Sequence, residues 1–151
     1  MTTDDHQRLV AALAPIEHGA RGLTWAAQRP WATATHVWQE GGTPVVDLHD
    51  LSVALGVSAC RAVLAAGLDA PVVIFVTGRG RRSGGVAPLS RAVLGVLDAA
   101  AEGTSWRVVS LPGRVKLVFD PARDVVGVPW VVWLVLALMA AGVAAAVWEA
   151  L

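Results

Sequence analysis

The chain has 151 residues, of which 55% are hydrophobic and only 16% charged, and its 12 acidic side chains balance its 12 Lys and Arg. That length gives room for one domain with a core plus extra elements. The zero net charge excludes nucleic-acid binding driven by overall charge, and the single cysteine, Cys60, excludes an internal disulfide. A soluble domain carries about a quarter charged residues, so one segment must be unusually apolar.

Residues 1–43 read as an N-terminal extension. Thr3 followed by Asp4 and Asp5 resembles a helix start. Leu9, Val10, Leu13 and Ile16 form an apolar stripe, which Pro15 is expected to bend or end. No signal peptide is expected, because Asp4 and Asp5 stand in the place of a basic n-region. Trp25, Trp31 and Trp38 follow among Gly, Pro and Thr; they are expected to pack onto the domain, with a membrane-surface or partner-binding segment as the alternative. The run "EGGTP", Glu40 to Pro44, marks a boundary.

Residues 44–120 carry a regular pattern. Val45 to His49 is the first predicted strand, within "VVDLHD". Alternation puts Val46 and Leu48 on one side and Asp47 and His49 on the other, and a carboxylate beside an imidazole needs partners if it is to be buried. Ser52 caps a helix carrying Val53, Leu55, Val57, Cys60, Val63 and Leu64, which Gly67 ends. In that helix Cys60 reads as an inert core thiol. "VVIFVT", ending at Thr77, is a continuous apolar run suited to a strand buried on both faces. After the loop "GRGRRSGG" a second helix begins near Pro88, with a stripe of Leu89, Val93, Val96, Leu97 and Ala100. "WRVVSL" and "RVKLVF" flank a "PG" turn and read as two closing strands. The order β-α-β-α-β-β predicts a compact two-layer α/β sandwich whose first two strands are parallel.

The apolar segment is at the far end. No charged residue lies between Asp124 and Glu149, a run of about 24 residues and about 36 Å as a helix, against a hydrocarbon core of about 30 Å. Trp130 and Trp133 stand near one end and Trp148 near the other, where indoles favour the interface. Residues 125–148 are therefore expected to be a single-pass C-terminal transmembrane helix in contact with the lipid bilayer. Arg114, Lys116 and Arg123 precede it, which places the domain on the cytoplasmic side. Gly142 among small residues offers a close approach between two tails, with the oligomeric state left open.

In a parallel sheet, ligands bind beyond the carboxyl ends of the strands. The loop from Gly78 to Gly85 is therefore expected beside Asp47 and His49. Gly78, Gly80, Gly84 and Gly85 let backbone N–H groups approach a phosphate, and Arg79, Arg81 and Arg82 supply guanidinium groups that pair with phosphate oxygens. The following helix start adds favourable polarity. No Gly-Lys-Ser/Thr completes a Walker pattern, and Ser83 and Asp98 fail the dinucleotide pattern. A zinc site is not expected, since Asp47 and His49 make only two candidate ligands, and His6, His18 and His36 read as surface or helix-end histidines.

"VVDLHDL", a helix, "VIFVTGRGRRSGGVAPLSRAVLGVL" and a closing strand pair together resemble the small MutS-related (Smr) domain family, over about residues 44–120. That family has Leu-Asp-Leu-His-Gly on its first strand and Thr/His-Gly-x-Gly after its second. The resemblance implies the same fold and an endonuclease that cleaves DNA or RNA phosphodiesters. Asp47 and His49 match the family's carboxylate and imidazole, and Gly78, Arg79, Gly80 and Ser83 match its loop. Asp50 stands where glycine is usual, adding a second negative charge, and Arg82 stands where many members have histidine. The expected roles are catalysis by Asp47 and His49, and nucleic-acid binding by Gly78, Arg79, Gly80, Arg81, Arg82 and Ser83. Arg114 and Lys116 either extend that contact or form a solvated face. A divalent ion such as Mg or Mn stays open as a cofactor, and DNA versus RNA is unresolved. The alternative is a non-catalytic nucleic-acid-binding or protein-interaction module tethered to the membrane.

Overall fold

The computed structural model describes residues 2–21, 30–79 and 87–122. Over these the chain forms α1 (Thr3–Ala20), α2 (Thr33–His36), β1 (Val37–Glu40), β2 (Thr43–Asp47), α3 (Val53–Ala65), β3 (Val72–Val76), α4 (Pro88–Ala101), β4 (Trp106–Leu111) and β5 (Arg114–Phe119). The protein is α/β, with one five-stranded mixed sheet in the order β1-β2-β3-β5-β4.

The sheet grows outward from an apolar parallel pair. Val45 lies opposite Ile74, Val46 opposite Phe75 and Asp47 opposite Val76. Val45, Val46, Val73, Ile74 and Phe75 are all buried, as parallel strands require. Parallel neighbours need a crossover, which α3 supplies. β5 then returns antiparallel to β3, and β4 pairs antiparallel with β5, so α4 joins β3 to a strand that runs the same way beyond β5. Two crossovers of one hand stepping in one direction put their helices on one face. Leu9 and Leu13 of α1, Cys60 and Val63 of α3, and Val93 and Leu97 of α4 accordingly share one core with Val46, Leu48 and Phe75. Burial pushes the Cys60 thiol up to about 12, so it stays protonated and offers no nucleophile near neutral pH.

The β-α-β-α-β-β order is present, and β4 and β5 occupy the two expected closing segments. Three local expectations are corrected. First, a further strand, β1, precedes the first expected one and joins β2 through Gly41 and Gly42, at φ +57° and +82°; two successive positive φ values suit a two-residue hairpin. "EGGTP" is thus a turn within the sheet. Second, β2 ends at Asp47, two residues short of His49. Third, α1 continues through Pro15 to Ala20. Pro15 has no N–H to donate, but Leu13, Ile16 and Ala20 are buried around it, and burying each large apolar side chain contributes about 1.5–3 kcal/mol. The Ser52-capped helix is present as α3, which buries Gly56, Ala59, Cys60 and Val63 and leaves Val53 exposed.

The first and last expected segments divide differently. Among the described residues no helix is long and apolar enough to cross a membrane; the expected transmembrane segment 125–148 lies outside the described residues, as do Arg123 and Trp25. The N-terminal helix is tied down at both ends. Thr2 and Asp5 form a reciprocal capping box, and Asp5 Oδ1 also accepts the Asp69 N–H at 3.0 Å. At the other end Glu17 Oε2 accepts the Thr33 N–H at 3.1 Å and its hydroxyl at 2.9 Å. These bonds fix the segment that leads into β1.

The Asp69 amide is the main cause holding the Asp5 carboxyl below its ordinary value of 3.8, against the opposing effect of burial. A carboxyl depressed in the folded state stabilises fully above its unfolded value and loses that contribution as pH falls through the folded one. Asp5→Ala should therefore cost about 2 kcal/mol at pH 7. Thermal unfolding followed by circular dichroism should show the gap between variant and parent closing as pH drops below the ordinary carboxyl range.

Candidate functional site

Parallel pairing makes β2 and β3 end at one rim. The Leu48 N–H donates to the Val76 carbonyl at 2.8 Å, continuing the ladder one step past β2. A row then crosses the sheet: Asp47 lies opposite Val76, Val76 opposite Arg114, and Arg114 opposite Leu111.

Asp47 ends its strand by bonding its own chain. Its Oδ1 accepts the His49 backbone N–H at 3.0 Å, the i to i+2 pattern by which Asp replaces a ladder bond with a turn. The same oxygen faces His49 Nδ1 at 2.5 Å. Asp47 and His49 are therefore neighbours, but through the turn and not through strand alternation, since β2 ends at Asp47. Asp47 is largely buried, whereas the His49 side chain is 45% exposed and open to a ligand. Its other ring nitrogen is occupied: Asp50 Oδ2 lies 3.1 Å from His49 Nε2. That same Asp50 oxygen is 3.8 Å from His36 Nε2. Carboxylates only accept, so the two His49 contacts are hydrogen bonds when the facing ring nitrogen carries a proton, whereas 3.8 Å to His36 is an ion-pair distance too long for one.

The N-terminal segment braces this chain. Trp31 is buried and donates its Nε1–H to the Asp47 carbonyl at 2.6 Å. Its ring stacks on His36 with centroids 5.4 Å apart. His36 Nδ1 lies 2.8 Å from Thr35 Oγ1 and 3.0 Å from the Ala32 carbonyl. The expectation that the tryptophans pack onto the domain holds for Trp31. His36 does sit at a helix end, but it is also a partner of Asp50. Nothing local in the sequence joins residue 36 to residue 50; the β1–β2 hairpin brings them together.

Gly78 follows Thr77 off the end of β3 at φ +73°, where only glycine is unstrained. A Cβ there would stand 3.4 Å from His49 Cβ, so the Gly78 backbone passes close to the root of the His49 side chain. On its far side the loop meets the β4–β5 turn. The Thr77 N–H donates to the Gly113 carbonyl at 2.9 Å, and a Cβ on Gly113 would meet Arg79 Cγ at 3.0 Å. A groove of about 450 Å³ runs here between Arg79, Ser90, Ser110 and Leu111. Thr77 Oγ1 is buried with no hydrogen-bond partner among the described residues.

Of the residues expected at the site, Asp47, His49 and Gly78 come together, and Arg79 follows on the side of the β4–β5 turn. Gly80, Arg81, Arg82 and Ser83 lie outside the described residues. Arg114 donates to both oxygens of Glu40, at 2.7 and 3.0 Å. That pair holds the Glu40 carboxyl below its ordinary range and raises the Arg114 guanidinium further, with Asp47 adding a smaller attraction. Its fork is thus engaged within the sheet. Among the described residues no group of three or more His, Cys, Asp or Glu is placed to hold a metal ion. An apolar cavity of about 380 Å³, walled by Val63, Leu68, Phe75, Trp106 and Leu117, lies at the other end of the sheet from His49.

No family model matches the chain, no curated protein matches it, and no solved structure matches it.

Trp31→Phe should keep the ring against His36 but leave the buried Asp47 carbonyl without its donor, a loss of about 1–3 kcal/mol. Thermal unfolding of the variant should show it, and the His49 ring proton signals should shift as Asp47 relaxes.

Proposed function

We propose that the protein is a membrane-anchored, cytosol-facing domain of the Smr type that acts on nucleic-acid phosphodiesters as an endonuclease. The observation that carries this reading is the Gly78 backbone against His49, with Asp47 on the imidazole's inner nitrogen. His49 and Gly78, one from each of the two motifs that suggested phosphodiester chemistry, are 29 positions apart in sequence, and their backbones run close together. The apolar tail, 125–148, supplies the anchor in this reading.

The roles follow from the groups present. Arg79 and the loop amides attract the phosphate and stabilise charge developing on its oxygens. His49 transfers the proton at Nε2, the nitrogen turned away from Asp47, since imidazole exchanges protons near neutral pH. Asp47 fixes the ring through Nδ1, and Trp31 in turn fixes Asp47. A divalent ion remains an option on the substrate phosphate, and none of these roles is routed through one.

A second reading, a nucleic-acid-binding module without turnover, is favoured by one observation: Asp50 sits on the nitrogen that would do the proton transfer. The full chain in detergent, assayed on structured RNA and branched DNA with and without magnesium or manganese, separates the two. Cleavage that drops about 10²–10⁴-fold in His49→Ala, and also drops in Asp47→Asn, is expected. Cleavage that survives both changes removes the mechanism, and steeply salt-dependent binding without cleavage selects the second reading.

A further inference from the structure

Asp50 is the residue that this site would be simpler without. A glycine there would leave His49 Nε2 facing solvent. Instead a carboxylate oxygen stands 3.1 Å from that nitrogen, where a phosphate oxygen would have to come. With Asp47 at Nδ1, two negative groups already flank the ring, and an incoming phosphodiester adds a third. Ligand and Asp50 therefore compete for one position.

The geometry also supplies a place for Asp50 to go. Its bound oxygen is only 3.8 Å from His36 Nε2, so a small side-chain rotation exchanges one imidazole for the other. His36 is a fixed receiver. Its ring is 12% exposed, stacked on the buried Trp31 and held at Nδ1 by Thr35 and the Ala32 carbonyl. His49 and Asp50 are the more exposed members, at 45% and 31%, so the exchange strips little water from either.

We propose that Asp50 gates the site: its carboxylate covers His49 Nε2 when no ligand is bound and passes to His36 when a nucleic-acid phosphate enters. The choice of phosphate as the entering group rests on the function proposed above; the two-position carboxylate between His49 and His36 does not. Affinity in such a device is reduced by the fraction of molecules in the open state, and removing the gate restores it.

The test uses the full chain in detergent with two readouts. Carbethoxylation by diethyl pyrocarbonate, mapped by mass spectrometry to the His49 peptide, reports access to the ring without any nucleic acid. Fluorescence anisotropy of labelled single-stranded RNA and DNA reports affinity. Asp50→Gly should speed His49 modification about fivefold and tighten binding by about the same factor, because both read the open fraction. Asp50→Asn, which keeps the shape and removes the charge, should move both in the same direction and covers the case of a glycine variant that does not fold. His36→Ala, lacking the receiver, should weaken binding. Unchanged His49 modification in both Asp50 variants, or weaker binding in both, overturns the gate. Faster modification with no nucleic-acid binding by any variant supports the gate and removes the phosphodiester reading instead.

Discussion

The parallel pairing of β2 with β3 is the constraint on which everything at the rim depends. Val46 against Phe75 and Asp47 against Val76 set the register, and apolar side chains on both faces of the pair hold it. A slip of one residue would turn Val46 and Leu48 to the other face of the sheet, a change opposed by the loss of their places in the shared core. Because the register is fixed by core packing, the positions where the two strands stop are fixed as well. The Asp47 turn and the Gly78 turn are consequences of those two ends, and their contact requires no further interaction between the loops.

Most charged groups at the rim face an opponent. Arg114 answers Glu40 across the sheet, and His49 stands between Asp47 and Asp50. Asp47 also feels the field of Arg114. Arg79, placed between Gly78 and the β4–β5 turn, has no ion pair among the described residues. The rim thus sets an imidazole between two carboxylates and the Arg79 stem against Gly113. Net neutrality of the whole chain, which speaks against non-specific attraction, is compatible with such a local arrangement.

Much of this was legible in the sequence, for reasons that differ from element to element. The continuous run around Phe75 and the periodic stripe of α4 are strong signals, because a buried strand and an amphipathic helix each have one period. The Ser52 cap and the Pro112–Gly113 turn carry their own chemistry. β1 was hidden because it is four residues long and only Val37 in it is buried; the Gly41–Gly42 pair between Glu40 and Thr43 was the signal that could have revealed it. α1 ran past Pro15 because tertiary burial outweighed a local preference. At the site, Asp47 and His49 could be read together since two residues separate them, and the loop could be placed beside them by topology. Trp31 and His36 could not, because their link to the site depends on a hairpin and on Glu17 holding Thr33, neither of which leaves a spaced motif.

The central claim is that the acid–imidazole turn and the glycine turn are packed against each other. Amide spectra of the full chain, compared with those of His49→Ala, measure it directly. Removing the ring should move the Gly78 amide strongly and leave Gly67 and Gly103, at the opposite end of the sheet, where they were. An unmoved Gly78 amide would mean that the two turns do not meet, and the account of the site would be wrong.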